Sequence, residues 1–188
     1  MTLKRFFDFF LAFVLIVLLL VPACIIGVLI RLTSEGPALY WSDRVGKNNI
    51  IFKMPKFRTM IIHTPPLATH LLSRPNDFMT PLGSFLRKYS LDEIPQLFTI
   101  LSGEMTFVGP RPALFNQYDL IKMREIAGIN TLSPGLTGWA QVNGRDQLNL
   151  REKVDLEVYY MRNQSFLFDL KILWMTFVSV LSKQGISH

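Results

Sequence analysis

Cysteine is almost missing from this 188-residue chain: Cys24 stands alone, so no internal disulfide can form and the redox compartment is not marked. Histidine is scarce as well, and His63, His70 and His188 lack the spacing that gathers ligands around a metal. Internal repeats and low-complexity stretches are absent, and the length suits one domain with enough chain to bury a core. Acidic residues are in the minority, 14 against 20 Lys and Arg, for a net charge of +6. Such a balance suits nucleic acid or an anionic membrane surface. Hydrophobic residues make up 49% of the chain, and the excess is gathered near the N-terminus, which favours the membrane and leaves nucleic acid out.

The chain has one long uncharged run, Phe9 to Ile30. As a helix it would be about 33 Å long, enough for a bilayer core. It is too long for a signal peptide and no small-residue cleavage site follows. Pro22 interrupts it and removes one intrahelical hydrogen bond. Basic residues flank both ends, with Lys4 and Arg5 before and Arg31 after. Since the basic end prefers the cytoplasm, charge alone leaves an ordinary span and a re-entrant helix bent at Pro22 equally open. Asp8, close to Lys4 and Arg5, is expected to pair within the helix or with the basic domain.

Beyond residue 33 the elements are short. Ser34-Glu35-Gly36-Pro37 is turn chemistry. Ala38 to Trp41 and Ile50 to Met54 read as strands joined by a turn at Gly46 to Asn49. In a strand, Lys56 and Arg58 would share one face. Residues 61–80 hold Pro65, Pro66 and Pro75 and read as a loop or a broken helix, followed by a short helix delivering Arg87. A surface helix is expected over Asn116–Ile126, a glycine-rich segment over 133–145, a charged helix over 148–163 and an apolar helix over 166–183. The last is too short to span and suits either the interface or the core.

The centre of the chain is Ser84 to Arg111. Asp92 and Glu93 stand just before Pro95, which is tolerated only in a helix's first turn. A helix therefore starts near them, with Asp92 as N-cap, or with Ser90 as cap and Glu93 closing a capping box. Ile94, Leu97, Phe98 and Leu101 would form its apolar face, and Gly103 its stop. Two carboxylates at a helix start, near Arg87 and Arg111, suit either phosphate chemistry or a plain acidic cap.

Several segments together resemble one family, the bacterial sugar transferases, small monotopic phosphoglycosyl transferases that use a polyprenyl phosphate. The matching stretches are Lys4-Arg5-Phe6-Phe7-Asp8, Ser34-x-Gly36-Pro37, Lys56 to Met60, Leu86-Arg87, Ser90 to Leu97, Val108 to Pro112 and Pro134 to Arg145. The resemblance implies an α/β fold, mostly α with small β elements. A re-entrant membrane helix at 1–32 would join a compact catalytic domain at 33–188, with interfacial amphipathic helices, on the cytoplasmic face of the bacterial inner membrane. It implies a UDP-sugar donor, an undecaprenyl phosphate acceptor and Mg²⁺. Asp92 matches the nucleophile and likeliest metal ligand, Glu93 its dyad partner, and Arg111 the phosphate clamp. Lys56, Arg58, Arg87 and Arg145 are further substrate-binding candidates. Family analogy and the apolar surface hint at a homodimer among membrane lipids. The chain departs from the pattern at Val21-Pro22, where members commonly carry Ser-Pro, at Asn76 to Met79, where many carry Asp-x-Arg, and at Glu157, left out of the site because a related member has aspartate there. The chain looks like the minimal form of the family.

Overall fold

The computed structural model describes residues 2–65, 75–144 and 147–182. It is mostly helical with two small sheets, as the resemblance implied. Helix α1 runs Leu3–Thr33, capped by the Thr2 side chain, which accepts from the Arg5 amide. The helix continues through Pro22, so the expected bend is at most a kink inside one helix. It is the one helix among the described residues long and apolar enough to cross a membrane.

Strands β1 (Leu39–Val45) and β2 (Ile51–Phe57) form an antiparallel hairpin, longer than the sequence predicts because pairing is unbroken from Leu39↔Phe57 to Val45↔Ile51. Its turn holds Asn48 and Asn49 at φ 55° and 61°, the left-handed region that asparagine tolerates. Opposite residues share a face, so Tyr40, Ser42 and Arg44 lie on the same side as Lys56, Met54 and Phe52. The short helix α2 (Gly83–Lys88) precedes a 3-10 stretch at Leu91–Gln96, which runs into α3 (Leu97–Ser102). Strand β3 (Thr106–Val108) pairs in parallel with β5 (Gly135–Thr137), while β4 (Ala113–Leu114) joins β1 at Arg44 and Val45. Helices α4 (Tyr118–Ile126), α5 (Trp139–Val142), α6 (Leu150–Arg162) and α7 (Phe166–Ser182) complete the fold.

The core is built partly from α1 itself. Ala12 is fully buried with Met54, Ile100, Phe107, Tyr160 and Ile172, and Ile30 is buried with Phe57 and Leu86. Polar contacts tie the helix start to the same body. Arg5 donates to the Ile100 and Leu101 carbonyls that end α3. Lys4 donates to the Val108 carbonyl at 2.8 Å and to Asp169 at 2.5 Å, and Tyr160 donates to Asp169 at 2.7 Å. Asp8, 3% exposed, accepts from Thr106 Oγ1 and the Phe107 amide rather than pairing with a neighbour in its own helix.

The glycine-rich segment serves backbone packing. A Cβ on Gly135 would fall on the Gly109 amide nitrogen, and one on Gly138 on the Gly109 carbonyl oxygen. This close crossing brings β5 and α5 up to the Gly109–Pro112 loop. Helix α7 resolves the two open readings in part: Ile172 and Asp169 are buried, whereas Leu167, Trp174 and Phe177 face outward. On α6, Glu157 is held in a two-point buried pair with Arg124 of α4, at 2.8 and 2.5 Å.

Arg124→Ala strands the Glu157 charge in the interior and is expected to cost about 3–5 kcal/mol. The double replacement Arg124→Met with Glu157→Leu is expected to recover most of that loss. Thermal unfolding of the two variants beside the parent protein checks both.

Candidate active site

The acidic pair lies inside the 3-10 stretch, not at the N-cap of an α-helix. Ser90 precedes it with a left-handed backbone, φ 54°, and makes no side-chain cap. This turn puts Asp92 inward, 7% exposed, and leaves Glu93 half-buried beside it. Of the predicted apolar face, Leu97 is buried and Ile94 and Leu101 pack against the same core, while Phe98 is exposed and Ile100 is buried in its place.

Four elements aim cations at this pair. Lys56 of β2 donates to Glu93 Oε1 at 3.2 Å. Arg111, from the loop after β3, donates to the same oxygen at 2.9 Å. Arg87 of α2 is steadied by Thr59, to whose hydroxyl its Nε donates at 2.9 Å, and it interacts electrostatically with Asp92 and Glu93. Arg44 of β1 donates to Ser42 Oγ at 3.0 Å and to the Pro112 carbonyl at 3.1 Å, and feels Arg111 and Glu93.

Burial dominates the electrostatics. It pushes the Asp92 carboxyl above its ordinary value; Lys56 opposes this most, Glu93 adds to it, and Arg87 and Arg111 oppose it. The Lys56 ammonium is lowered, chiefly by burial, with Glu93 holding it up. Burial also brings Arg44 down to about 10, with Arg111 reinforcing the shift. Four cations thus surround two carboxylates, an excess of two positive charges that suits a diphosphate dianion. Arginine forks match phosphate oxygens in geometry as well as charge.

Five of the seven residues singled out from the sequence meet here: Asp92, Glu93, Lys56, Arg87 and Arg111. Arg58 does not. Strand β2 ends at Phe57, and the Arg58 guanidinium turns back to donate to the Ser34 and Gly36 carbonyls and to the Glu35 carbonyl. It locks the turn after α1. Arg145 lies outside the described residues. Arg44 is the member that sequence reading missed. Its signal is the alternation Tyr40-x-Ser42-x-Arg44, which puts it on the Lys56 face once β1 is extended past Trp41.

Among the described residues no three Asp, Glu, His or Cys side chains are grouped to hold a metal. The donor set, two adjacent carboxylates beside cations fit for phosphate, does suit Mg²⁺, which binds through one or two carboxylates and substrate phosphates rather than a full protein cage.

The chain is 37% identical over 189 residues to the uncharacterized sugar transferase EpsL of Bacillus subtilis, covering 100% of this chain and 92% of the relative. It is 40% identical to the undecaprenyl-phosphate glucose phosphotransferase of Komagataeibacter xylinus and 36% identical to the UDP-glucose:undecaprenyl-phosphate glucose-1-phosphate transferase of Escherichia coli. These matches cover 92% and 93% of this chain but only 35% and 39% of those longer relatives. The family model for bacterial sugar transferases matches residues 1–183, and the chain therefore belongs to the bacterial sugar transferase family.

Proposed function

We propose that this protein transfers a phosphosugar from a UDP-sugar to undecaprenyl phosphate and releases UMP, as an early membrane step of bacterial glycoconjugate assembly. The carrying observation is the buried Asp92 carboxyl acted on by Lys56, Arg87 and Arg111, beside a Glu93 tied to Lys56 and Arg111. The names of the Komagataeibacter and Escherichia relatives supply the substrate classes.

In the first step an Asp92 carboxylate oxygen attacks the sugar-bearing phosphorus. The bond from that phosphorus to the bridging oxygen breaks, and UMP leaves with the electron pair. The acyl phosphate formed on Asp92 is then attacked by an oxygen of undecaprenyl phosphate, which expels the Asp92 carboxylate and yields the polyprenyl diphosphate sugar. Covalent catalysis of this kind divides one hard displacement into two easier ones. Burial raises the free energy of the ionised carboxylate, so it reacts readily, and the cations stabilise charge building on the phosphoryl oxygens. Glu93, fixed by Lys56 and Arg111, holds both cations toward the phosphates. Mg²⁺ held by Asp92 and the donor's phosphates would supply further charge neutralisation.

The membrane placement we infer is monotopic, with the site on the cytoplasmic side where a soluble nucleotide sugar and a lipid phosphate both reach it. Support comes from the two ends of α1. Lys4, Arg5 and Asp8 at its start, and Ile30 at its end, all pack on one body. Crossing the bilayer would carry one end about 30 Å from that body. Phe10, Phe13, Val17, Val21, Ile25, Val28 and Leu32 remain exposed along the helix, an apolar face for lipid.

Asp92→Asn is expected to lower UMP release by more than about 1,000-fold. It is also expected to raise the melting temperature. A carboxyl whose pKa is higher in the folded than in the unfolded state costs stability once ionised, and the amide removes that cost. Attack needs the ionised carboxylate, so activity falls as pH drops through the raised Asp92 pKa. Because Lys56 is the strongest influence holding that value down, Lys56→Met is expected to move the acid limb of the pH–rate profile to higher pH. A limb left in place would remove Lys56 from the electrostatics of the nucleophile.

A further inference from the structure

Strand β3 pairs along one edge with β5, and its other edge faces the start of α1. There side chains stand in for a second strand. Asp8 accepts from the Phe107 amide at 3.2 Å, and Lys4, one turn earlier on the same helix face, donates to the Val108 carbonyl at 2.8 Å. Tyr160 of α6 donates to that carbonyl as well, at 3.0 Å, so both lone pairs of its oxygen are taken. Asp169 of α7 closes the clasp, accepting from Tyr160 at 2.7 Å on one oxygen and from Lys4 at 2.5 Å on the other. Burial, and after it the bond to Asp169, pushes the Tyr160 hydroxyl above its ordinary value, so it stays protonated and keeps donating. None of these three side chains is among the charges that act on Asp92, so the clasp bears on the site through the backbone it holds.

That backbone leads to Arg111. The Val108–Gly109 peptide is one rigid plane, and its N–H donates to the Thr137 carbonyl at 2.9 Å. Held at the oxygen by Lys4 and Tyr160 and at the nitrogen by Thr137, the plane is fixed from both sides. Pro110 follows with φ locked by its ring, and its carbonyl accepts from the Gly135 amide at 2.9 Å. Pro112 biases Arg111 itself toward extended backbone, and the Pro112 carbonyl accepts from Arg44. Little freedom is left between the clasp and the guanidinium that donates to Glu93.

We propose that Lys4 and Tyr160 are positioning residues for Arg111: joined through Asp169, they set the Val108–Gly109 peptide and so the place of the Arg111 guanidinium against the phosphoryl group being transferred. The inference rests on the reading of the protein as a phosphosugar transferase, and it gives the first turn of α1 a part in turnover. The alternative is a clasp that only ties α1, α6 and α7 together.

The test follows UMP release by the full-length protein in lipid nanodiscs, with kcat and donor KM per folded protein and a thermal melt of each variant. Tyr160→Phe removes one hydroxyl and leaves the Lys4–Asp169 pair in place. It is expected to lower kcat about 10-fold while donor KM stays within about 2-fold, since a slightly misplaced charge is felt chiefly in the transition state. Lys4→Met is expected to lower kcat at least as much, and Lys4→Arg, which keeps charge and donors, to recover part of the loss. The deciding measurement is Tyr160→Phe made on an Arg111→Lys background. An ammonium on a flexible stem has no fixed fork to be placed. There kcat is expected to fall by less than about 2-fold, while the loss of melting temperature is the same in both backgrounds. Equal fold-losses of kcat in the two backgrounds, or an unchanged kcat in Tyr160→Phe, would overturn the proposal and leave the clasp a structural tie. Should Lys4→Met fail to fold, the two Tyr160→Phe backgrounds still decide. A parent protein that releases no UMP from any UDP-sugar would instead sink the transferase reading, and this inference with it.

Discussion

Two adjacent carboxylates brought under the surface of a protein repel one another and resist ionisation, and this structure is arranged to bear that cost. Asp92 is almost wholly buried, and burial outweighs every neighbouring charge in setting its proton affinity. What keeps the pair tolerable is a ring of cations drawn from the hairpin, α2 and the loop after β3. No single element could supply that ring. The hairpin gives Lys56 and Arg44 from one face because strand alternation puts them there. The six-residue helix α2 gives Arg87, and the tight crossing of Gly109 with Gly135 and Gly138 holds the loop that carries Arg111.

The membrane helix belongs to the same construction. Ala12 and Ile30 of this apolar helix are core residues of the catalytic body. Arg5 closes the end of α3, whose chain leads back to the acidic pair, and Lys4 with Tyr160 holds the Val108 carbonyl three residues before Arg111. Insertion of α1 and alignment of the acidic pair with Arg111 are therefore mechanically linked. Cutting α1 away would expose apolar surface and release both ends of the site.

Much of this was legible in the sequence where one local rule dominates. Hydrophobic length marked α1, charge marked α6 and apolar composition marked α7, and the surface helix α4 ends at Ile126, where it was expected to. The site residues Asp92, Glu93, Lys56, Arg87 and Arg111 were visible through the motif resemblance, since spacing alone left a plain acidic cap open. What sequence could not give depends on tertiary partners. Asp8 was expected to pair within its helix or with the basic domain, and which of these could not be read; its oxygens serve Thr106 and Phe107, far along the chain. Arg58 sits two residues from Lys56 but just past the strand end, where the Ser34–Gly36 carbonyls capture it. Arg44 was hidden because the strand continues four residues beyond Trp41 by pairing with β4 as well as β2, and no local propensity announces that.

The account turns on whether Asp92 becomes covalently bonded to phosphorus. Intact-mass and peptide analysis of the protein mixed with UDP-sugar, in the absence of undecaprenyl phosphate and quenched rapidly, addresses that bond. The account predicts a phosphosugar mass increment on the peptide carrying Asp92, lost when undecaprenyl phosphate is added and missing in Asp92→Asn. An enzyme that turns over fully while never carrying such an increment, or that carries it on another residue, would contradict it.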